Sequence, residues 1–137
     1  MKPIAVSESF AVAPQIRPED LKAIADAGYR AVICNRPDGE DAGQPSVAIM
    51  REAAEALGLA FHHIPVSGGV FPPAAIAAFG KAREQADGKT LAYCRTGTRS
   101  ITLDALANIE NSSADELIER ARLAGYDLSA LHQQLCE

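Results

Sequence analysis

Tryptophan is absent from this chain, and phenylalanine and tyrosine together supply only 5% of its 137 residues. Aromatic packing therefore cannot carry the interior. With 47% hydrophobic residues overall, a core must be built mainly from Ala, Ile, Leu and Val. Positive charge is also in deficit: 13 Lys and Arg against 18 Asp and Glu leave a net charge of −5. That balance argues against a nucleic acid or an acidic membrane surface as partner. No apolar run approaches the ~18 residues that suggest a membrane span. The first residues, Met1 to Glu8, turn polar too early for a signal peptide. The three cysteines have no paired spacing and do not form a disulfide framework. No Walker motif, dinucleotide fingerprint or metal-ligand cluster is present, so neither a cofactor nor a metal is expected. A single domain over residues 1–137 is expected, in a reducing cytoplasm that would keep a thiol free.

What the chain does have is alternation. Short β-like runs (Phe10 to Ala13, Ala31 to Asn35, Ala60 to Ile64, Thr90 to Tyr93) are separated by helix-like stretches. Arg17-Pro18-Glu19-Asp20 opens the first helix, with Pro and acids in its first turn. Ser46 to Leu57 has Val47, Met50, Ala54 and Leu57 on one face, and Gly58 follows. Pro73 to Ala86 reads as a third helix, and a fourth runs from Ile101. Ser113 and Glu116 form a capping box, Gly125 ends that helix, and Ser129 to Cys136 closes the chain. This order predicts an α/β fold. Its central, mostly parallel sheet has four to five strands, with helices on both faces. Sites in such sheets lie beyond the carboxyl ends of the strands. The loops after Asn35, Val66 and Tyr93 should converge.

One of those loops carries chemistry. Cys94-Arg95-Thr96-Gly97-Thr98-Arg99-Ser100 joins the last β-like run to a helix. A strand, a Gly-containing turn and a helix N-terminus make a cup of backbone N–H groups. Two arginines and the helix dipole favour a nucleophilic thiolate at Cys94. Without its neighbours, Cys94 would read as an inert buried cysteine. Arg99 sits at the wrong end of a helix dipole for a cation, which an anionic partner would repair. Arg95 is either a substrate contact or a solvated rim residue. Thr96 and Thr98 chiefly offer backbone N–H groups. Gly97 supplies a special backbone angle or a close approach. Ser100 either caps the helix or bonds the Cys94 thiolate.

Two resemblances meet here. The element order, with Ala31-Val-Ile-Cys-Asn-Arg-Pro37 and Phe61-His-His-Ile-Pro-Val66, resembles the dual-specificity-phosphatase-like domain of the β-lactamase-hydrolase-like proteins. The resemblance covers nearly the whole chain and implies a cysteine-phosphatase-like architecture. That family occurs alone or fused to sulfide-metabolism enzymes. The loop departs from the phosphatase signature. Four residues, not five, separate Cys94 from Arg99, and Tyr93 stands where His is usual. Ser67-Gly68-Gly69-Val70 has no carboxylate where the resemblance implies an Asp general acid. By contrast, Tyr93 to Ser100 is very similar to the loop of single-domain rhodaneses.

The shorter loop suits one terminal sulfur better than three phosphate oxygens. Sulfite or a thiolate also leaves without strong protonation, whereas an alkoxide needs an acid. The leading expectation is therefore a sulfurtransferase. Cys94 would form a persulfide from thiosulfate or glutathione persulfide and pass sulfur to a thiol, cyanide or sulfite. A persulfide dioxygenase or another sulfide-oxidising enzyme is the expected partner. The alternative is a cysteine-dependent phosphatase using the same Cys94 and Arg99. The third reading is a non-catalytic persulfide- or anion-binding module. Asp38 is a substitute acid or only a turn former. Arg36 either adds charge to the pocket or pairs with Asp38 or Glu40. His62 and His63 are adjacent on a strand, point to opposite faces and cannot share a zinc. Cys34 reads as core, with a resolving role as the other option. Cys136 has no assigned role.

Overall fold

The strand registers decide which side chains form each half of the core. The computed structural model describes residues 3–136. Its sheet contains β1 (Ile4–Ala5), β2 (Phe10–Ala13), β3 (Tyr29–Cys34), β4 (Ala60–His63) and β5 (Lys89–Tyr93), in the order β1-β2-β5-β3-β4. β2, β5, β3 and β4 run parallel, and only β1 pairs antiparallel, on β2. Val12 and Ile33 both lie beside Ala92. Period-two alternation sends these three to one face with Phe10. Ala11, Val32, Cys34, Leu91 and Tyr93 go to the other.

Each face has its own helical cover. α1 (Leu21–Asp26) and α2 (Val47–Ala56) bury Leu21, Ile24, Met50 and Ala54 against the Tyr93 face. α3 (Pro73–Gln85), α4 (Thr98–Ala107) and α5 (Ala114–Leu123) pack on the Val12 face. α6 (His132–Leu135) adds Leu135 at its margin. Phe10 and Phe79 meet edge to face there, with ring centroids 5.9 Å apart. Apart from Phe10, Phe61, Phe79 and Tyr93, the buried apolar core consists of Ala, Val, Ile, Leu, Met and Cys.

The local signals act as expected at most boundaries. Ser46 accepts from the Ile49 amide at 3.2 Å and starts α2. Ser113 and Glu116 form the capping box of α5. Two differences stand out. β1 is a two-residue, exposed strand with no pattern to announce it. α4 begins at Thr98 rather than Ile101, because Gly97 at φ 95° lets the helix start inside the cysteine loop. The parallel strands end at Ala13, Cys34, His63 and Tyr93, and the loops beyond them gather on one side.

Candidate active site

Cys94 follows β5 directly and is fully buried, at the floor of the loop. The Gly97 amide donates to its sulfur at 3.1 Å. The four intervening carbonyls all accept from outside the cup. Arg95 O takes the Gln15 amide at 3.3 Å, and Gly97 O takes the Ile101 amide at 3.0 Å. Thr96 O takes the Tyr126 hydroxyl at 2.7 Å, and Thr98 O takes the Thr102 hydroxyl at 2.7 Å. With its carbonyls turned away, the loop is free to aim amides inward, the condition for an anion site.

Arg99, the second residue of α4, is oriented by its partners. Nη1 donates to Glu40 Oε2 and to Val66 O, both at 2.9 Å, and Nη2 donates to Glu40 Oε1 at 2.8 Å. A guanidinium has five N–H donors. Three are committed, which leaves Nε–H and one Nη2–H. These two lie on one edge of the plane, the fork that grips an oxyanion bidentately. Glu40 chiefly, and the nearby Cys94 sulfur as well, hold Arg99 protonated. The unfavourable place of Arg99 at a helix N-terminus is thus compensated by Glu40, a residue of this chain.

Glu40 is in turn gripped from behind. Buried Arg36 donates through Nε to Glu40 Oε1 at 2.7 Å and through Nη1 to Gln15 Oε1 at 2.9 Å. Asp41 lies 3.6 Å from its Nη2. The Arg99 hydrogen bond, with Arg36 adding to it, outweighs burial and lowers the Glu40 pKa to about 2. Arg36 is therefore no pocket charge. It pairs with Glu40, one of the two options, and not with Asp38.

The other side chains singled out from the sequence have partners of their own or face outward. Ser100 is buried and donates to Asn35 Oδ1 at 2.8 Å, so its hydroxyl is committed away from Cys94. Asp38 accepts from the Val47 amide at 3.1 Å and so secures the start of α2. It borders a surface depression of about 700 Å³ with Arg51, Glu55 and His63, a different place from the cysteine loop. Its hydrogen bond among the described residues thus serves the start of α2, the turn-forming side of the two readings. Arg95 is exposed, with no side-chain partner among the described residues. Thr96 and Thr98 bond each other through their hydroxyls at 3.1 Å and point outward. Cys34 is buried beside Tyr93 and donates weakly to Arg36 O at 3.5 Å. All three cysteines are free. Among the described residues no His, Cys, Asp and Glu converge as a metal site, and no helix is long and apolar enough to cross a membrane.

Three residues that matter, Asn35, Gln15 and Tyr126, were given no role from the sequence, and Glu40 was named only as a possible partner of Arg36. Asn35 donates to Ile64 O at 2.9 Å, accepts from Ser100, and pairs through its own amide with Tyr93 O. It ties three loops together. A polar residue ending a buried apolar run was its only signal. Glu40 and Gln15 act across long sequence separations, and Tyr126 lies 30 residues beyond Thr96. No local pattern marks them.

A parallel sheet, a cysteine at the end of a central strand, a backbone cup and an arginine in the first turn of the next helix define a cysteine-phosphatase-like domain. The family model of the beta-lactamase hydrolase-like protein, phosphatase-like domain, matches residues 4–111, and the chain belongs to that family. A beta-lactamase hydrolase-like protein of Agrobacterium fabrum is 33% identical over 135 residues, covering 95% of this chain and 31% of that protein. One from Xylella fastidiosa strain Temecula1 is 34% identical over 130 residues, covering 93% and 30%. The chain thus spans about a third of the length of these curated relatives. A candidate phosphatase from Neisseria meningitidis superposes with a TM-score of 0.83 at 35% identity, covering 96% of this chain and 94% of that one. The structure titled Tk-PTP in the active form has a TM-score of 0.71 at 18% identity, covering 97% and 92%, a likeness of fold.

Proposed function

We propose that this domain is a cysteine-dependent phosphatase for phosphate monoesters with good leaving groups, aryl phosphates above all. The carrying observation is the Nε/Nη2 edge of Arg99, not used by Glu40 or Val66 and held beside the Cys94 sulfur. The Cys94 thiolate attacks phosphorus as the bond to the aryloxide breaks. The phosphocysteine is then hydrolysed by water, which returns the thiolate and releases phosphate. The loop amides and the Arg99 edge hold the non-bridging oxygens as charge develops on them. The likeness in fold and sequence to phosphatase-like proteins supports this over sulfur transfer.

The acid side of the chemistry limits the substrates. Glu40, the carboxylate that grips Arg99, has its pKa lowered to about 2 and so has no proton to give. Asp38 is engaged elsewhere, and Ser67 to Val70 contains no acid. A leaving group that departs as a stabilised anion removes the need for one.

A second reading keeps its own support. The four-residue spacing and the missing acid suit persulfide formation, in which Cys94 takes the outer sulfur of thiosulfate and sulfite leaves. One experiment separates the two. The protein and its Cys94→Ser variant are given p-nitrophenyl phosphate, and separately thiosulfate, with release of p-nitrophenol and mass gain at the Cys94 peptide as readouts. Phosphatase action predicts p-nitrophenol release that the variant loses. A one-sulfur mass gain without ester turnover favours the sulfurtransferase, and neither outcome leaves the non-catalytic anion-binding module.

A further inference from the structure

The loop's Thr96–Gly97 peptide has a partner on each side. Its N–H donates inward to the Cys94 sulfur at 3.1 Å, and its C=O accepts outward from the Tyr126 hydroxyl at 2.7 Å. In a trans peptide these two groups point in opposite directions. Rotating that one plane by about half a turn would bring the carbonyl dipole onto the thiolate and remove a donor from the cup. Gly97 is the residue that would permit it, because glycine occupies either sign of φ with little cost. A short loop with a glycine at its centre needs something to choose the orientation.

Tyr126 is built to do so. α5 ends in a Schellman motif: the Gly125 amide bonds Arg122 O at 3.0 Å and the Tyr126 amide bonds Ala121 O at 2.8 Å. Gly125 takes φ 98°, which reverses the chain. Tyr126 is then delivered from a rigid helix end, its ring packed at the margin of the core. The ring lies so close to Gly97 that a Cβ there would drive into the phenol oxygen and sit 3.0 Å from Cζ. Burial first, and the Cys94 charge second, keep the phenol protonated and able to donate. Tyr126 also lies beyond residues 4–111, the span matched by the family model.

We propose that Tyr126 is a positioning residue that locks the Thr96–Gly97 peptide with its N–H toward Cys94 and its C=O toward the rim, and so sets how well the cup holds an anion. This rests on the anion-cup reading above, but not on which anion is the substrate. The test uses Tyr126→Phe, which keeps the ring and its packing and removes only the hydroxyl. Two readouts are needed, neither of which consumes a phosphate ester. One is the Gly97 amide signal by nitrogen-15 NMR. The other is the rate at which iodoacetate, an anionic reagent, alkylates Cys94, read by mass spectrometry of the Cys94 peptide so that exposed Cys136 does not contribute.

The expected result is a displaced or exchange-broadened Gly97 amide and alkylation slowed about fivefold, the size of one neutral hydrogen bond. Thermal melting should stay within a few degrees of wild type. An unmoved amide, or an alkylation rate within twofold of wild type, overturns the proposal. Slowed alkylation with an unmoved amide overturns it as well, because the hydroxyl would then act on Cys94 without setting the peptide plane. If wild type cleaves no aryl phosphate while the amide and alkylation respond as stated, the phosphatase reading fails and the latch stands.

Discussion

Glu40 grips Arg99 through both carboxylate oxygens, at 2.8 and 2.9 Å, and is itself gripped by Arg36 at 2.7 Å. The carboxylate leaves the Arg99 charge in place but fixes the plane of its guanidinium. Orientation is the larger gain, since a bidentate fork works only when its edge faces the anion.

Glu40→Gln should therefore lower activity more through kcat than through KM. The loss should be about tenfold, the scale of one charge-assisted hydrogen bond. It should also change the acid limb of stability. The folded pKa of Glu40 is lowered from 4.5 to about 2. A lowered carboxylate pKa stabilises the fold fully above the unfolded value, and that stability is lost as pH falls toward the folded one. Denaturant midpoints should thus drop more steeply for wild type than for the variant between pH 4.5 and 2. Parallel curves in that window would mean Glu40 is not held as described.

At the opposite end of the sheet, buried Arg83 pairs with Asp104 and donates to Ser9 Oγ at 2.7 Å. Burial, incompletely offset by Arg83, raises the Asp104 pKa from 3.8 to about 6. A raised acid costs stability as pH climbs from the unfolded to the folded value, so this region favours mildly acidic solution. Arg83→Met removes the counter-charge. It should destabilise by ~3–5 kcal/mol, the range for breaking a buried pair. The loss should be clearly smaller at pH 5, where Asp104 accepts a proton, than at pH 8. Urea melts at the two pH values check this, and equal losses would count against it.

The third case concerns Ser100. Its hydroxyl is the partner of Asn35 Oδ1, and both residues are fully buried. Ser100→Ala leaves that oxygen unsatisfied, which should cost ~1–3 kcal/mol of stability. Direct help to the thiolate would instead show as slower Cys94 alkylation at unchanged stability. Chemical denaturation paired with alkylation kinetics separates the two, and the geometry predicts the stability loss with the alkylation rate nearly kept.

The sheet was legible because its signals are local. Alternating apolar runs, the Ser46 and Ser113 caps and the glycines after helices each report on their own few residues. The cysteine loop was legible for the same reason. The residues that aim it were not. Glu40 reads as a turn acid near Arg36, and only the fold carries it 59 positions along the chain to Arg99. Ser100 sits next to the loop in sequence, yet the first turn of α4 rotates its hydroxyl onto Asn35. Asp38 looked like a spare acid because proximity along the chain says nothing about which amide claims it, here that of Val47. The functional expectation turned on loop length, a local feature, while kinship to phosphatase-like domains is carried by the whole chain.

Gly97→Ala probes the loop's two constraints at once, and a double mutant separates them. At φ 95° an alanine is strained by its own backbone, at ~1–2 kcal/mol. Its Cβ would also strike Tyr126. The single variant should lose Cys94 reactivity, because the cheapest relief is to rotate the loop away from the cup. Adding Tyr126→Ala removes the clash but leaves the backbone strain and takes away the bond to Thr96. If the clash dominates, the double variant recovers stability relative to Gly97→Ala, with a coupling of about 1 kcal/mol or more in the double-mutant cycle, as contacting residues give. Reactivity should not return with it, since nothing then fixes the peptide plane. Additive stability losses would mean the backbone angle alone demands glycine here, and Tyr126 merely fills the space beside it.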